Sequence, residues 1–231
     1  MSSRKIKNKV ISLLGQQDLD QILYGLQQYP DKDLINPLFL ALPRAEELVR
    51  WHAVSAFGQV VPRIAEEDME AARIVMRRFL WSLNDESGGI GWGSAEAMAE
   101  IMAHHEPLAD EYLHMLHSYI QEDGEELFQD GNHLELPQLQ RGILWGIGRV
   151  APRWGARLLE KGVVDHLRPY LQSDDAVVRA MTIRALVELK APETEALVSP
   201  FLDDDREVRF YLEGVFQTLT VADFCVKSHS V

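Results

Sequence analysis

Apolar residues recur at steps of three and four in segment after segment of this chain, the period of α-helices that each bury one side. Residues 46–61 carry it at Leu48, Val49, Ala53, Ala56, Phe57 and Val60, and residues 69–83 at Met69, Ala72, Met76, Phe79, Leu80 and Leu83. Glu46 and Glu47 fall where carboxylates complement a helix N-terminus, and Pro107 suits a first helical position because its missing N–H has no partner there. Strand signals are weak throughout. The spacing predicts helical pairs at 6–14 with 18–28, 33–42 with 46–61, 68–83 with 94–103 and 107–121 with 138–150, then helices at 155–171, 176–190, 194–202 and 206–220. A Gly-rich loop at 84–93 and an acidic loop at 122–136 interrupt the pattern.

The pattern also repeats. Gly58-Gln59-Val60-Val61-Pro62 is echoed ninety positions later by Gly148-Arg149-Val150-Ala151-Pro152, each time with Gly inside an apolar helix and Pro near its end. Asp174-Asp175-Ala176-Val177-Val178-Arg179 is echoed thirty positions later by Asp204-Asp205-Arg206-Glu207-Val208-Arg209, and Val49-Arg50 stands at the matching point of an earlier unit. Each Val-Arg pair opens an apolar stretch: Val49 to Val60, Val178 to Leu189, Val208 to Leu219. This Asp-Asp-x-x-Val-Arg start, followed by Ala and Leu at helical spacing, resembles the second helix of a HEAT repeat. The stretch Trp81 to Gly93 (WSLNDESGGIGWG) also resembles an uncharacterised bacterial HEAT-like family seen mainly in anaerobes. The resemblance implies one domain over 1–231, an all-α, right-handed α-α superhelix of the HEAT/armadillo-like solenoid kind. Stacked hairpins there share a core that none could bury alone. It also implies a structural role for Asp175, Arg179, Asp205 and Arg209, the turn residues that tie neighbouring repeats.

Charge narrows the function classes. The net charge is −13, and no Lys or Arg occurs between Arg78 and Arg141, a span holding thirteen carboxylates and five of the eight histidines. Nucleic acid and anionic membranes are poor partners for such a surface. No stretch is long and apolar enough to span a bilayer. The basic start, with Arg4, Lys5, Lys7 and Lys9 around Ile6, Val10, Leu13 and Leu14, suits a helix face rather than a signal peptide. The single cysteine, Cys225, fits a reducing, cytoplasmic setting.

The expected function is a non-enzymatic, acidic concave surface that binds a protein or peptide of basic character, without a cofactor. The contacts expected are Asp85, Glu86, Trp92, Glu96, Glu100 and His133, with Trp92 as aromatic anchor and the carboxylates as steering charges. Nucleotide binding at the glycine loop is disfavoured by Asp85 and Glu86, and by the helix that precedes it where a dinucleotide fold has a strand. An alternative is a metal- or cofactor-dependent enzyme on the His/Glu-rich middle. Asp110, His114 and His117 share one polar helix stripe and could chelate zinc or iron with Glu100 or His133, but the stripe reads first as an outer face. A third is a HEAT-like DNA glycosylase using Trp51, Trp145, Trp154, Arg50 and Arg141, against which the net charge argues. The dipeptide His105-Glu106 occurs singly, where HEAT-like iron hydroxylases carry several His-Glu dipeptides. Cys225, with His229 nearby, has no catalytic context.

Overall fold

The computed structural model describes residues 3–85, 91–122 and 132–226. Helix follows helix: α1 (Ser3–Leu14), α2 (Leu19–Leu26), α3 (Asp31–Ala41), α4 (Glu47–Glu67), α5 (Met69–Leu83), α6 (Ser94–His104), α7 (Glu106–Ser118), α8 (Pro137–Leu159), α9 (Val163–Leu167), α10 (Ala176–Leu189), α11 (Thr194–Val198) and α12 (Val221–Val226), with short 3₁₀ turns at Arg168–Gln172 and Ser199–Phe201. The described residues are mostly α-helical, helix packed on helix. Among the described residues no helix is long and apolar enough to cross a membrane. The chain divides into two compact units. Unit 1 is Met1–Tyr112 with Tyr211–Val215, and unit 2 is Leu113–Phe210 with Phe216–Val231.

In unit 1, α4 is the central helix and packs on α3, α5 and α6. The rings of Phe39, Phe57 and Phe79 meet at centroid distances of 5.0, 4.6 and 4.9 Å and join α3, α4 and α5. Asp18 and Asp68 cap α2 and α5 by accepting the Gln21 and Ala71 amides, each at 3.1 Å. In unit 2, α8 and α10 form the main contact, with Trp145, Trp154, Ile147, Ile183 and Leu186 buried. Asp175 caps α10 through the Val177 and Val178 amides (2.9 and 3.1 Å) and also holds the Arg141 guanidinium.

Both Gly-x-x-x-Pro segments lie inside a helix rather than at its end. The expected helix ends at 61 and 150 are therefore corrected: α4 runs through Pro62 to Glu67, and α8 through Pro152 to Leu159. Proline crowds the carbonyl four residues earlier and leaves it without an N–H donor. In both helices that earlier residue is glycine, which also gives up its side chain to a neighbour. A Cβ on Gly58 would stand 2.5 Å from Glu100 Cγ, and one on Gly148 would stand 2.8 Å from Arg184 Nη1. The expected helix 155–171 is broken where Gly162 takes φ +70° and α9 begins.

The larger correction concerns 206–220, expected as a helix. It is a β-hairpin, β1 (Glu207–Leu212) and β2 (Val215–Thr220). The turn Glu213-Gly214 has φ +48° and +85°, the conformation of a two-residue hairpin loop that matches strand twist. Val208, Phe210 and Leu212 are buried at period two, and Phe210 meets Phe224 of α12 edge-on at 5.4 Å. The tie predicted for Asp205 and Arg209 shifts with it. Asp204, not Asp205, faces Arg179 (3.6 Å) and pairs with Arg206, while Arg209 lies over the Phe216 ring at 4.1 Å.

Gly58→Ala should therefore destabilise the protein by about 1–3 kcal/mol in urea unfolding, the cost of overpacking a tight helix crossing. Gly155→Ala is the control. A Cβ there would sit in ordinary contact, 3.5 Å from Leu189 Cδ2, so this change should be neutral or stabilise by up to about 1 kcal/mol.

Candidate functional site

The acidic candidates gather on α6 in unit 1. Gly93, with φ +76°, starts the helix and is pressed against Leu42, whose Cδ2 would lie 2.9 Å from a Cβ at that position. That fixes how Trp92 enters α6, and Trp92 is half-buried. Glu96, Glu100 and His104 then come at steps of four on one stripe. Glu100 is buried over Gly58, and its carbonyl oxygen lies 2.8 Å from His104 Nδ1. Glu96 is half-buried in the first turn. Burial pushes its carboxyl above the ordinary value, against its own amide and the charge of Arg50.

The facing side of α4 supplies Arg50, Trp51 and Ser55, all half-buried. Arg50 Nη2 lies 3.7 Å from Glu47 Oε1, one turn back on its own helix. Trp51 stacks on Tyr211 at 4.8 Å and 20°. The Tyr211 hydroxyl lies 3.0 Å from Ser55 Oγ, and burial pushes its pKa up to about 12, opposed by that hydrogen bond and aided by the charge of Glu100. Sequence reasoning missed Ser55 and Tyr211. Neither carries a sequence signal, since Tyr211 is buried out of phase with Val208 and Phe210.

The other candidates lie elsewhere. Asp85 is half-buried just past α5 in unit 1, and Glu86 falls outside the described residues. His133 belongs to unit 2, where its Nε2 lies 3.1 Å from the Tyr170 hydroxyl. The polar stripe Asp110, His114, His117 does not form as expected. Asp110 and His114 are exposed, but His117 is buried, with Nε2 2.9 Å from Nδ1 of His166. The reason is visible in the spacing: His117 lies beside Leu113, Leu116 and Ile120, inside the apolar face. Among the described residues no group of three or more His, Cys, Asp or Glu side chains is placed to hold a metal. Of the residues that suggested a glycosylase, Trp145 and Trp154 are buried in unit 2 and Arg141 is held by Asp175.

No family model and no curated protein matches the chain. Solved structures similar to it include a designed armadillo repeat protein (14% identity, TM-score 0.48, covering 94% of this chain and 95% of that one). Another is a designed armadillo repeat protein in complex with the peptide (KR)4 (16%, 0.45, 85% and 90%). An engineered protein is a third (15%, 0.45, 84% and 84%). At these identities and TM-scores the likenesses carry no functional argument.

The geometry sets the sign of two titrations. Burial, then the charges of His166 and Lys161, pull the His117 pKa from 6.5 down to about 4. The unfolded chain therefore binds a proton at His117 that the folded chain refuses between those values, and stability should fall as pH drops through that window. The loss is on the order of 3 kcal/mol, and urea melts of His117→Asn should show a shallower acid slope. Glu96 has the opposite sign. Its raised pKa means that the ionised form works against folding at neutral pH. Glu96→Gln should raise the melting temperature at pH 7. That gain should vanish below the ordinary carboxyl range.

Proposed function

We propose that this protein is a non-enzymatic scaffold that binds a protein or peptide of basic character through the α6 face of unit 1. The observation that carries the reading is Glu96. Its carboxylate is half-buried, is held above its usual pKa, and makes no ion pair with any described residue. The cation that acts on it, Arg50, is placed beside Glu47 instead. A folded chain gains nothing in stability from such a carboxylate, whereas an incoming Lys or Arg would meet a desolvated acceptor with Trp92 one turn earlier and Glu100 one turn later. Asp85 lies in the same unit, and Glu86 comes next in sequence.

The net charge of −13 favours cationic partners over nucleic acid or anionic membrane and should speed their encounter. The chemistry at the face is recognition rather than turnover. Tyr211 is held protonated well above neutral pH, and Ser55 has that phenol as its hydrogen-bond partner rather than a histidine or carboxylate that would activate it.

The test is fluorescence anisotropy with a short labelled peptide of alternating Lys and Arg, beside one of alternating Glu and Ser. The wild type should bind the basic peptide, progressively less as salt rises, and should not bind the acidic one. Glu96→Gln should weaken binding about tenfold, the equivalent of about 1.4 kcal/mol, with unchanged circular dichroism. Trp92→Ala should weaken it as well. No binding of the basic peptide, or equal binding by the Glu96→Gln variant, would remove the reading.

A further inference from the structure

The last turn of α10, α11, the 3₁₀ turn after it and α12 enclose a cleft of about 570 Å³ within unit 2. That is the size of a small-molecule site. Its apolar walls are aliphatic. Val198 is buried and Val187 half-buried, whereas Leu202 and Val226 line the same cleft with 49% and 65% of their surface in water. Large apolar side chains exposed singly are ordinary, but two in one cleft form a patch that folding leaves uncovered. Cys225 completes the wall. Its thiol faces the Val198 and Val221 carbonyls at 3.6 and 3.8 Å, and burial, aided by the charge of Asp204, pushes it up to about 11. At neutral pH it is therefore a small apolar group rather than a nucleophile.

The polar lining narrows the ligand. Among the described residues the cleft has no aromatic ring to stack on a base and no arginine to fork a phosphate. The hydroxyls of Thr194 and Ser199 donate to the Leu186 and Ala196 carbonyls at 3.1 and 3.2 Å. Glu195 stands in the first turn of α11, where a carboxylate complements the helix start. Lys190 is the residue that local structure does not call for. It ends α10 with φ +55°, a left-handed conformation that glycine or asparagine adopts at lower cost. It is exposed and makes no ion pair with any described residue.

We propose that this cleft binds a free medium-chain aliphatic carboxylate, its tail along Val187, Val198, Leu202 and Val226 and its head on the Lys190 ammonium. The tail removes exposed apolar surface from water, which drives binding, and the ion pair at the rim fixes which end points out. The cleft lies wholly in unit 2 and shares no residue with the α6 face, so it is independent of the proposed peptide binding.

Sodium decanoate, kept below its micelle concentration, is the probe. Cys225 is the single cysteine of the chain and lines the cleft, so its alkylation by iodoacetamide, followed by mass spectrometry, reports occupancy. Decanoate should slow that reaction to a saturating limit and raise the melting temperature with concentration. In calorimetry, decanol and decylammonium should bind at least about tenfold more weakly than decanoate. Lys190→Asn removes the ammonium and suits the left-handed backbone. It should leave the melting temperature of the free protein unchanged or higher and weaken decanoate binding about tenfold. Absence of decanoate binding, or binding that leaves the Cys225 rate untouched, overturns the proposal. So does decylammonium binding as tightly as decanoate, or a Lys190→Asn variant that binds decanoate as the wild type does.

Discussion

Close approach of two helices at a glycine is the constraint on which each unit depends. In unit 1 the glycine is Gly58 on α4 and the side chain it admits is Glu100 on α6; in unit 2 it is Gly148 on α8 and Arg184 on α10. At each crossing the missing side chain makes room for a long charged one, Glu100 by its Cγ at Gly58 and Arg184 by its guanidinium at Gly148. Arg184 is almost wholly buried, donates to the Trp145 carbonyl at 3.1 Å and lies 5.0 Å from the Phe210 ring. Each glycine also stands four residues before a proline, Pro62 or Pro152, which lies inside the same long helix.

This explains why much of the fold was legible and where legibility stopped. The period of apolar residues located α3, α5, α6 and α10, and the start of α4, to within a few residues, because those helices bury a continuous stripe. Pro62 and Pro152 were read as helix ends because local propensity treats proline as a breaker. Only the three-dimensional neighbour of Gly58 or Gly148 reveals that the helix has reason to continue. The hairpin was lost to a different error. Asp204-Asp205-Arg206-Glu207-Val208-Arg209 looks like the start of α10, but the residues beyond it are of another kind. After Val178-Arg179 come Ala180, Met181, Ile183, Ala185 and Leu186, whereas after Val208-Arg209 come Phe210, Tyr211 and Leu212 and then Glu213-Gly214. The hexapeptides match, but Glu213-Gly214 and the β-formers on either side of it make the second one the start of a strand.

The candidate site was legible in part for a similar reason. Spacing alone sets Glu96 and Glu100 on one stripe, and the glycine before Ser94 marks the helix start. What spacing could not supply was which carboxylates other elements neutralise. Glu111 lies in the same lysine-free span, yet Arg73 from α5 reaches it with two hydrogen bonds at 2.8 and 2.5 Å, and that partner holds its pKa below the ordinary value. A stretch without lysine in sequence is therefore not a stretch without cations in space. His117 makes the complementary point, a polar residue at an apolar register position that turns inward because His166 is there to receive it.

Glu96 differs from its neighbours in energetic character more than in position. Glu111, Asp175 and Asp204 all have lowered pKa values, and each is tied to an arginine, so ionisation helps to hold the fold. The Glu96 carboxyl is raised, so its ionisation at neutral pH opposes the fold that contains it. Glutamine in the same place would keep the shape and remove the penalty. A side chain that local stability would replace is the feature that the proposed binding role would explain. A cationic group docking there would convert the desolvated charge from a liability into a charge-assisted hydrogen bond, because the desolvation has already been met in folding and the incoming guanidinium or ammonium has only its own hydration to lose.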